Sequence, residues 1–141
     1  MIADRPVSEC RVTVRTTTVP FNVPAAYAAF HVREEHRTGT TVMHHGTVKV
    51  PGKQVPDFHF VRFEAVAADP GAGLKEIARA AAVRFPLHRV YIEHRLGEAD
   101  PGGDILLVIV SAATRGPAFA ACAAIVDEIK REAVIRLVEC R

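Results

Sequence analysis

The chain has 141 residues, the size of one ordinary domain with room for a substantial core. Hydrophobic residues make up 49%, with seven Phe and no Trp, so that core must be built from Val, Ile, Leu, Ala and Phe. A formal net charge of +2 is too weak and scattered for a nucleic-acid surface, and the longest apolar run, around Ile105 to Ala113, is far below a membrane span.

The opening M-I-A-D-R-P-V has no continuous hydrophobic segment of the export type. Cys10, Cys122 and Cys140 make no paired framework, and no cysteine has the electropositive, accessible setting of a nucleophile. Both observations predict a reducing, cytoplasmic setting.

Arg11 to Val19 alternates valines with polar residues and reads as a strand, at a sheet edge. Asn22 and Pro24 introduce A-A-Y-A-A-F, a short capped helix over about Pro24 to Val32. The following R-E-E-H-R-T-G either continues that helix to Gly39 or forms a loop. Thr41 to Val50 reads as a strand with a bulge or close approach at Gly46. Pro51, Gly52 and Pro56 bracket a loop carrying Lys53 and Gln54.

Phe58 to Val66 suits a strand in which Arg62 and Glu64 share one face and Val61 and Phe63 the other. A Glu64 on a buried face would need a partner. Asp69, Pro70, Gly71 and Gly73 read as a break, after which Leu74, Ile77, Ala81 and Phe85 mark one helical face, stopped by Pro86. Arg89 to Leu96 alternates as a half-buried strand, and Gly97 with Pro101-Gly102-Gly103 forms the turn region after it.

Ile105 to Val110 is a continuous apolar run of branched residues, which favours a strand covered on both faces. It leads through Arg115 into A-T-R-G-P-A-F-A-A-C-A-A-I-V-D-E-I-K-R-E-A-V-I-R-L, residues Ala113 to Leu137. Here Phe119, Cys122, Val126, Ile129 and Ala133 recur at helical spacing, and Gly116-Pro117 fits the first turn. Val134 to Arg141 reads as a further short strand. The order predicts one α+β domain over residues 1–141, a mainly antiparallel or mixed sheet packed against two to three helices.

Standard motifs are missing: no glycine-rich phosphate loop, no H-E-x-x-H, no C-x-x-C and no nucleophile elbow. His44 and His45 are adjacent on a strand and point to opposite faces, so with His59 they make a poor metal site. His94 lies on the apolar alternation of its strand, the place of a packed core histidine, and Arg95 points the other way. Arg115 sits where a buried strand gives way to a helix, a common position for a ligand pocket. Lys130 lies roughly 20 Å further along the helix axis at about 1.5 Å per residue. Cations at both ends of one element suit an anion, or are ordinary surface charges. One small pocket holds both only if a second subunit or a long ligand spans the gap.

From Thr41 to Leu137 a series of short pieces recurs in order. They are G-T-V-K from Gly46 to Lys49, F-E-A from Phe63 to Ala65, R-F-P-L-H-R-V from Arg84 to Val90 and H-R-L-G from His94 to Gly97. T-R-G-P-A-F from Thr114 to Phe119 and D-E-I-K from Asp127 to Lys130 follow. Together they resemble the large, catalytic subunit of molybdopterin synthase, and the strand and helix within residues 11–38 are compatible with it.

The resemblance implies a homodimer whose subunits each bind a small ubiquitin-like sulfur-carrier protein ending in Gly-Gly. Sulfur from that carrier's thiocarboxylate passes twice to a cyclic pterin phosphate, making the molybdopterin dithiolene, with no metal or redox cofactor. It places Lys130 as the catalytic lysine, and Arg115, Thr114 and Lys49 around the pterin phosphate. Arg136 is a substitute for a second lysine one position away, and Glu64, His94 and Arg95 are supporting residues. No nucleic acid and no membrane is implied.

The chain departs from the family pattern at several of these positions. Thr114 stands where a histidine is usual, Lys49 where arginine is usual, and Val66 where tyrosine is usual. Val134 to Leu137 replaces a proline-aromatic-tryptophan-lysine run, and the tail ends at Arg141. These departures motivate a second expectation, a catalytically weakened homologue that binds a carrier or sister subunit.

Overall fold

The computed structural model describes residues 10–32 and 35–141. The opening heptapeptide and two residues of the polar stretch after the first helix, Arg33 and Glu34, lie outside the described residues.

Seven strands and three helices follow one another among the described residues: β1 (Arg11–Thr17), α1 (Val23–His31), β2 (Thr40–Thr47), β3 (Phe60–Ala65), α2 (Pro70–Arg84), β4 (Leu87–Arg95), β5 (Gly97–Ala99), β6 (Asp104–Ala112), α3 (Arg115–Ile129) and β7 (Ile135–Cys140). They make two sheets, one ordered β1-β4-β6-β2 and one ordered β5-β3-β7. Only β1 and β4 pair in parallel, and all other pairs are antiparallel, so the arrangement is α+β with a mixed sheet.

The apolar run in β6 is explained by cover on both sides. Leu106, Val108, Val110 and Ala112 face the main core beneath α2 and α3. Leu107 and Ile109 face the other way, against Phe30 of α1 with Phe21 and Tyr91. A strand packed on both faces has no polar side to display, which is why alternation is absent from its sequence. The small sheet closes the main core from one end through Val61, Phe63 and Ile135.

The helix ends follow capping chemistry. Asn22 Oδ1 accepts the Ala25 N–H at 3.2 Å at the start of α1. α2 begins four residues earlier than the apolar spacing predicts. Asp69 Oδ1 accepts the Ala72 N–H at 3.0 Å, and Pro70 occupies the first turn, so the expected break is a helix start. Gly97, expected as a turn, opens the three-residue strand β5 paired with β3.

α3 also differs from expectation. Its buried face is Ala118, Ala121, Cys122, Ile125, Val126 and Ile129, whereas Phe119 is 60% exposed and Ala133 is an exposed residue beyond the helix. Small alanines let α3 approach α2 and β6 closely, and Phe119, about 100° round from Ala118, falls outside the contact. The helix stops at Lys130, its C-cap, two residues before Glu132 takes the left-handed conformation (φ 62°). Arg136 belongs to β7, within the short strand expected over Val134 to Arg141. No helix among the described residues is long and apolar enough to cross a membrane.

Ile125 is only 1% exposed. Ile125→Ala is therefore expected to cost about 2–5 kcal/mol. Phe119→Ala should stay within about 0.5 kcal/mol of the parent in the isolated subunit. Urea unfolding of both variants checks the assignment of the buried face.

Candidate active site

A cleft of about 360 Å³ opens where the C-terminal end of α3 meets the loop after β2 and the inner face of the small sheet. Phe58, Val61, Phe63 and Leu137 supply an apolar wall, and Lys49, Lys53 and Lys130 supply charge. Each lysine is brought by a different local device. Lys130 is the residue at which α3 ends. Lys49 follows Val48, whose backbone is pinned at N–H and carbonyl by Gly103 and Gly102 at 2.9 and 2.7 Å. Lys53 lies on the loop bent between Pro51 and Pro56. Among the described residues neither Lys49 nor Lys130 has an ion-pair partner.

The acids that line the cleft are engaged by backbone. Glu139 accepts the N–H groups of Lys53, Gln54 and Val55 at 2.9, 2.6 and 2.7 Å, fixing the loop against β7. Burial pushes its carboxyl up, but those three donors and the Lys53 charge outweigh that and hold it below its ordinary value. Glu132 accepts the Leu137 N–H at 2.6 Å. Three successive N–H groups converging on one carboxylate form an anion cradle of the nest type.

Two imidazoles also line the cleft. His94 is 4% exposed, lies edge-on to Phe63 at 5.7 Å, and donates from Nδ1 to the Arg95 carbonyl at 2.7 Å. Burial lowers its pKa, against the raising effect of that hydrogen bond. His44 is half-buried; burial first, then the charge of Lys130, then His45 lower its pKa. His45 turns to the opposite face and pairs with Asp104 at 2.7 Å. Successive strand residues point to opposite faces, so the adjacent histidines do not share a ligand.

The remaining expected site residues lie elsewhere. Thr114 and Arg115 stand at the start of α3, and neither lines the cleft. Fifteen residues of helix place them about 22 Å from Lys130 at 1.5 Å per residue. Arg136 is on the opposite face of β7 from Leu137 and pairs with Glu64 at 2.9 Å, so it does not stand in the cleft for a second lysine. That pairing also settles Glu64, which is half-exposed on the outer face of β3. Arg95 is buried and donates to the Glu98 carbonyl at 3.2 Å, a contact that shapes the β4–β5 turn.

A second hollow, about 570 Å³, lies between α1 and the outer face of β1 and β4. Its charges satisfy one another: Tyr91 donates to Glu93 at 2.8 Å, and Arg15 approaches Glu93 at 3.8 Å. Burial, with Glu93 beside it, raises the Tyr91 phenol. The α3 cleft, with its unpaired cations, is the better candidate for chemistry.

The sequence profile described as MoaE protein matches residues 16–132. The chain belongs to the MoaE family. The molybdopterin synthase catalytic subunit of Pyrococcus abyssi is 34% identical over 113 residues, covering 79% of this chain and 72% of the relative. That of Salmonella typhimurium is 36% identical over 117 residues, covering 81% and 74%. Among solved structures, a molybdopterin biosynthesis MoaE protein from Burkholderia ambifaria superposes with a TM-score of 0.75 at 29% identity, covering 92% of this chain and 90% of the other. These relatives place the chain in molybdopterin biosynthesis.

Sequence reasoning missed His44, Lys53 and Glu139 as cleft residues. His44 was legible only as half of a poor metal pair, and Lys53 only as a loop residue. Glu139 carried no signal, because its partners are backbone N–H groups 84 to 86 positions away.

Because the Glu139 carboxyl is held below its unfolded value, its contribution to stability is present above that value and is lost as pH falls through the folded one. Glu139→Gln should flatten the acid limb of stability against pH and leave the neutral-to-alkaline limb unchanged in shape. Denaturant unfolding from pH 3 to 7 reads this directly.

Proposed function

We propose that this chain is the sulfur-transferring subunit of a molybdopterin synthase. It takes sulfur from the C-terminal thiocarboxylate of a small carrier protein and delivers it to a cyclic pterin phosphate, building the dithiolene. The observation that carries this reading is the convergence of unpaired Lys130 and Lys49 on one cleft with an apolar wall. A thiocarboxylate tail is anionic, and a pterin is a flat ring bearing a phosphate, so both reactants ask for cations beside apolar surface.

In this reading Lys130 holds the thiocarboxylate and stabilises the negative charge that develops on the acyl oxygen. Lys49 offers a point charge to the substrate, without the bidentate fork of an arginine. Arg115 and Thr114 reach the site from a second copy of the chain, because the length of α3 separates them from Lys130 within one subunit. A homodimer with one small carrier on each subunit is the assembly this requires. No metal or redox cofactor takes part.

A weakened homologue is the second reading, and one observation favours it. Leu137, not a lysine, faces the cleft, and Arg136 is engaged outside it by Glu64. Conversion of the cyclic precursor by purified chain with a thiocarboxylated carrier separates the two. Turnover supports the synthase, and its absence with several carriers supports the binding-only homologue.

Lys130→Ala is expected to lower turnover by about 100- to 1,000-fold, the usual effect of removing one electrostatic stabiliser. Its melting temperature should be unchanged, since Lys130 is exposed and unpaired. Mixing Lys130→Ala with Arg115→Ala subunits should restore turnover that neither variant has alone. Failure of complementation, with mixed dimers verified by native mass spectrometry, would contradict a site shared between subunits.

A further inference from the structure

We propose that His44 is the general base of the acyl half of the reaction, deprotonating the water whose oxygen replaces sulfur on the carrier's terminal carbonyl carbon. This rests on the sulfurtransferase reading and adds a residue and a step to it.

The step follows from atom balance. The carrier arrives as a thiocarboxylate and must leave as a carboxylate, so its acyl carbon loses sulfur and gains oxygen. Once the sulfur has bonded to the pterin carbon and an oxygen substituent of that carbon has left with its electron pair, the two molecules are joined as a thioester. Water oxygen then adds to the carbonyl carbon, and the water proton passes to the base. The C–S bond breaks with its electron pair on sulfur, which stays on the pterin as a thiolate, and the carrier leaves as a carboxylic acid whose remaining proton is lost to solvent, giving the carboxylate. The base returns its proton to solvent. No electrons enter or leave.

Four groups lining the cleft have lone pairs suited to accept that proton. The carboxylates of Glu132 and Glu139 are held by backbone N–H groups at 2.6 to 2.9 Å. His94 keeps a free Nε2 lone pair, since only its Nδ1–H is engaged, but at 4% exposure beside Phe63 it is far less open to water than His44. His44 remains: it is half-buried, and neither of its ring nitrogens has a hydrogen-bond partner among the described residues.

Gly46 makes the placement possible. It lies two residues along β2 on the same face, and a Cβ there would stand 3.0 Å from His44 Nε2 and 3.8 Å from Cε1. The missing side chain leaves the space beside which the imidazole nitrogen sits. Three effects on the ring act in one direction. Lys130 from the end of α3 and His45 on its own strand disfavour the imidazolium, as does burial. Lys49 and Lys53 line the same cleft from the loop, and Glu132 and Glu139 line it as carboxylates held by backbone N–H groups. A neutral imidazole beside a lysine is a matched pair: one accepts the water proton while the other steadies the oxyanion.

The test uses the full chain with its carrier in two forms, a Gly-Gly thioester to read hydrolysis and the Gly-Gly thiocarboxylate with the cyclic pterin phosphate to read adduct formation and conversion. His44→Ala should slow thioester hydrolysis about 100-fold or more. It should abolish the acidic limb of the pH–rate profile and let the carrier–pterin adduct accumulate by intact mass spectrometry. Added imidazole should restore hydrolysis. Gly46→Ala, which keeps the imidazole but displaces it, should give a smaller loss that imidazole also relieves. Hydrolysis at the parent rate in His44→Ala would overturn the proposal, as would a loss that imidazole fails to restore. Parent protein that converts pterin with hydrolysis independent of His44 sinks this proposal alone. Parent protein that hydrolyses the thioester through His44 yet never converts pterin sinks the synthase reading and leaves His44 as the base of thioester hydrolysis alone.

Discussion

The structure depends on the close packing of α3 over β6 and β2 and beside α2. Ala118, Ala121 and Cys122 bring the helix down onto the sheet, and Ile125, Val126 and Ile129 extend the contact to its last turn. Because the face is buried up to Ile129, the point at which the helix ends is fixed, and Lys130 is the first residue free of it. Glu132 then reverses the chain in a left-handed conformation and sends it into β7. Burial of the apolar face thus determines where an exposed ammonium stands relative to a sheet some residues later. At about 25 cal/mol per Å² of apolar surface, such a face outweighs any single charge at its end.

That arrangement leaves the cleft with more cations than acids. Its cations come from a helix end and a loop, while its acids are spent on structure: Glu139 orders the loop that carries Lys53, and Glu132 fixes the entry to β7. Both acids keep their charge, so the cleft sets three lysines against two carboxylates, a surplus of one positive charge. The result is a small space that attracts anions, backed by Phe58, Phe63 and Leu137. On the outer face of β3 and β7, by contrast, Arg62, Glu64 and Arg136 pair in solvent, where such pairs contribute little. The same strands therefore carry chemistry on one face and ordinary surface on the other.

Much of the architecture was legible in the sequence. Alternation marked β1 and β4, and the apolar run at Ile105 marked a strand covered on both sides. The α+β order followed, and the short pieces around Lys130 pointed to the family. What failed has physical reasons. An alanine-rich helix has no strong apolar stripe, so the bulky Phe119 drew the face toward itself although close packing selects the alanines. Pro70 and Gly71 resemble a break, but a proline in the first turn after an aspartate cap is a beginning. Arg136 looked like a substitute for a lysine because it is one position away in sequence; in a strand, one position is the opposite face. Lys130 and Lys49 were named from resemblance, and the fold brings them to one cleft. Arg115 was named in the same way, and the length of α3 keeps it apart within a subunit.

The central claim is that the end of α3 and the loop after β2 make one anion-seeking cleft that receives an acyl tail. The chain has four lysines, Lys49, Lys53, Lys75 and Lys130, of which Lys75 lies on α2, away from the cleft. Treating the protein with a short peptide whose Gly-Gly C-terminus is an activated ester, then mapping the acylated lysines by mass spectrometry, tests this directly. The account predicts acylation concentrated on Lys130 and its cleft neighbours, suppressed by competing phosphate. Equal labelling of Lys75, or labelling indifferent to phosphate, would contradict it.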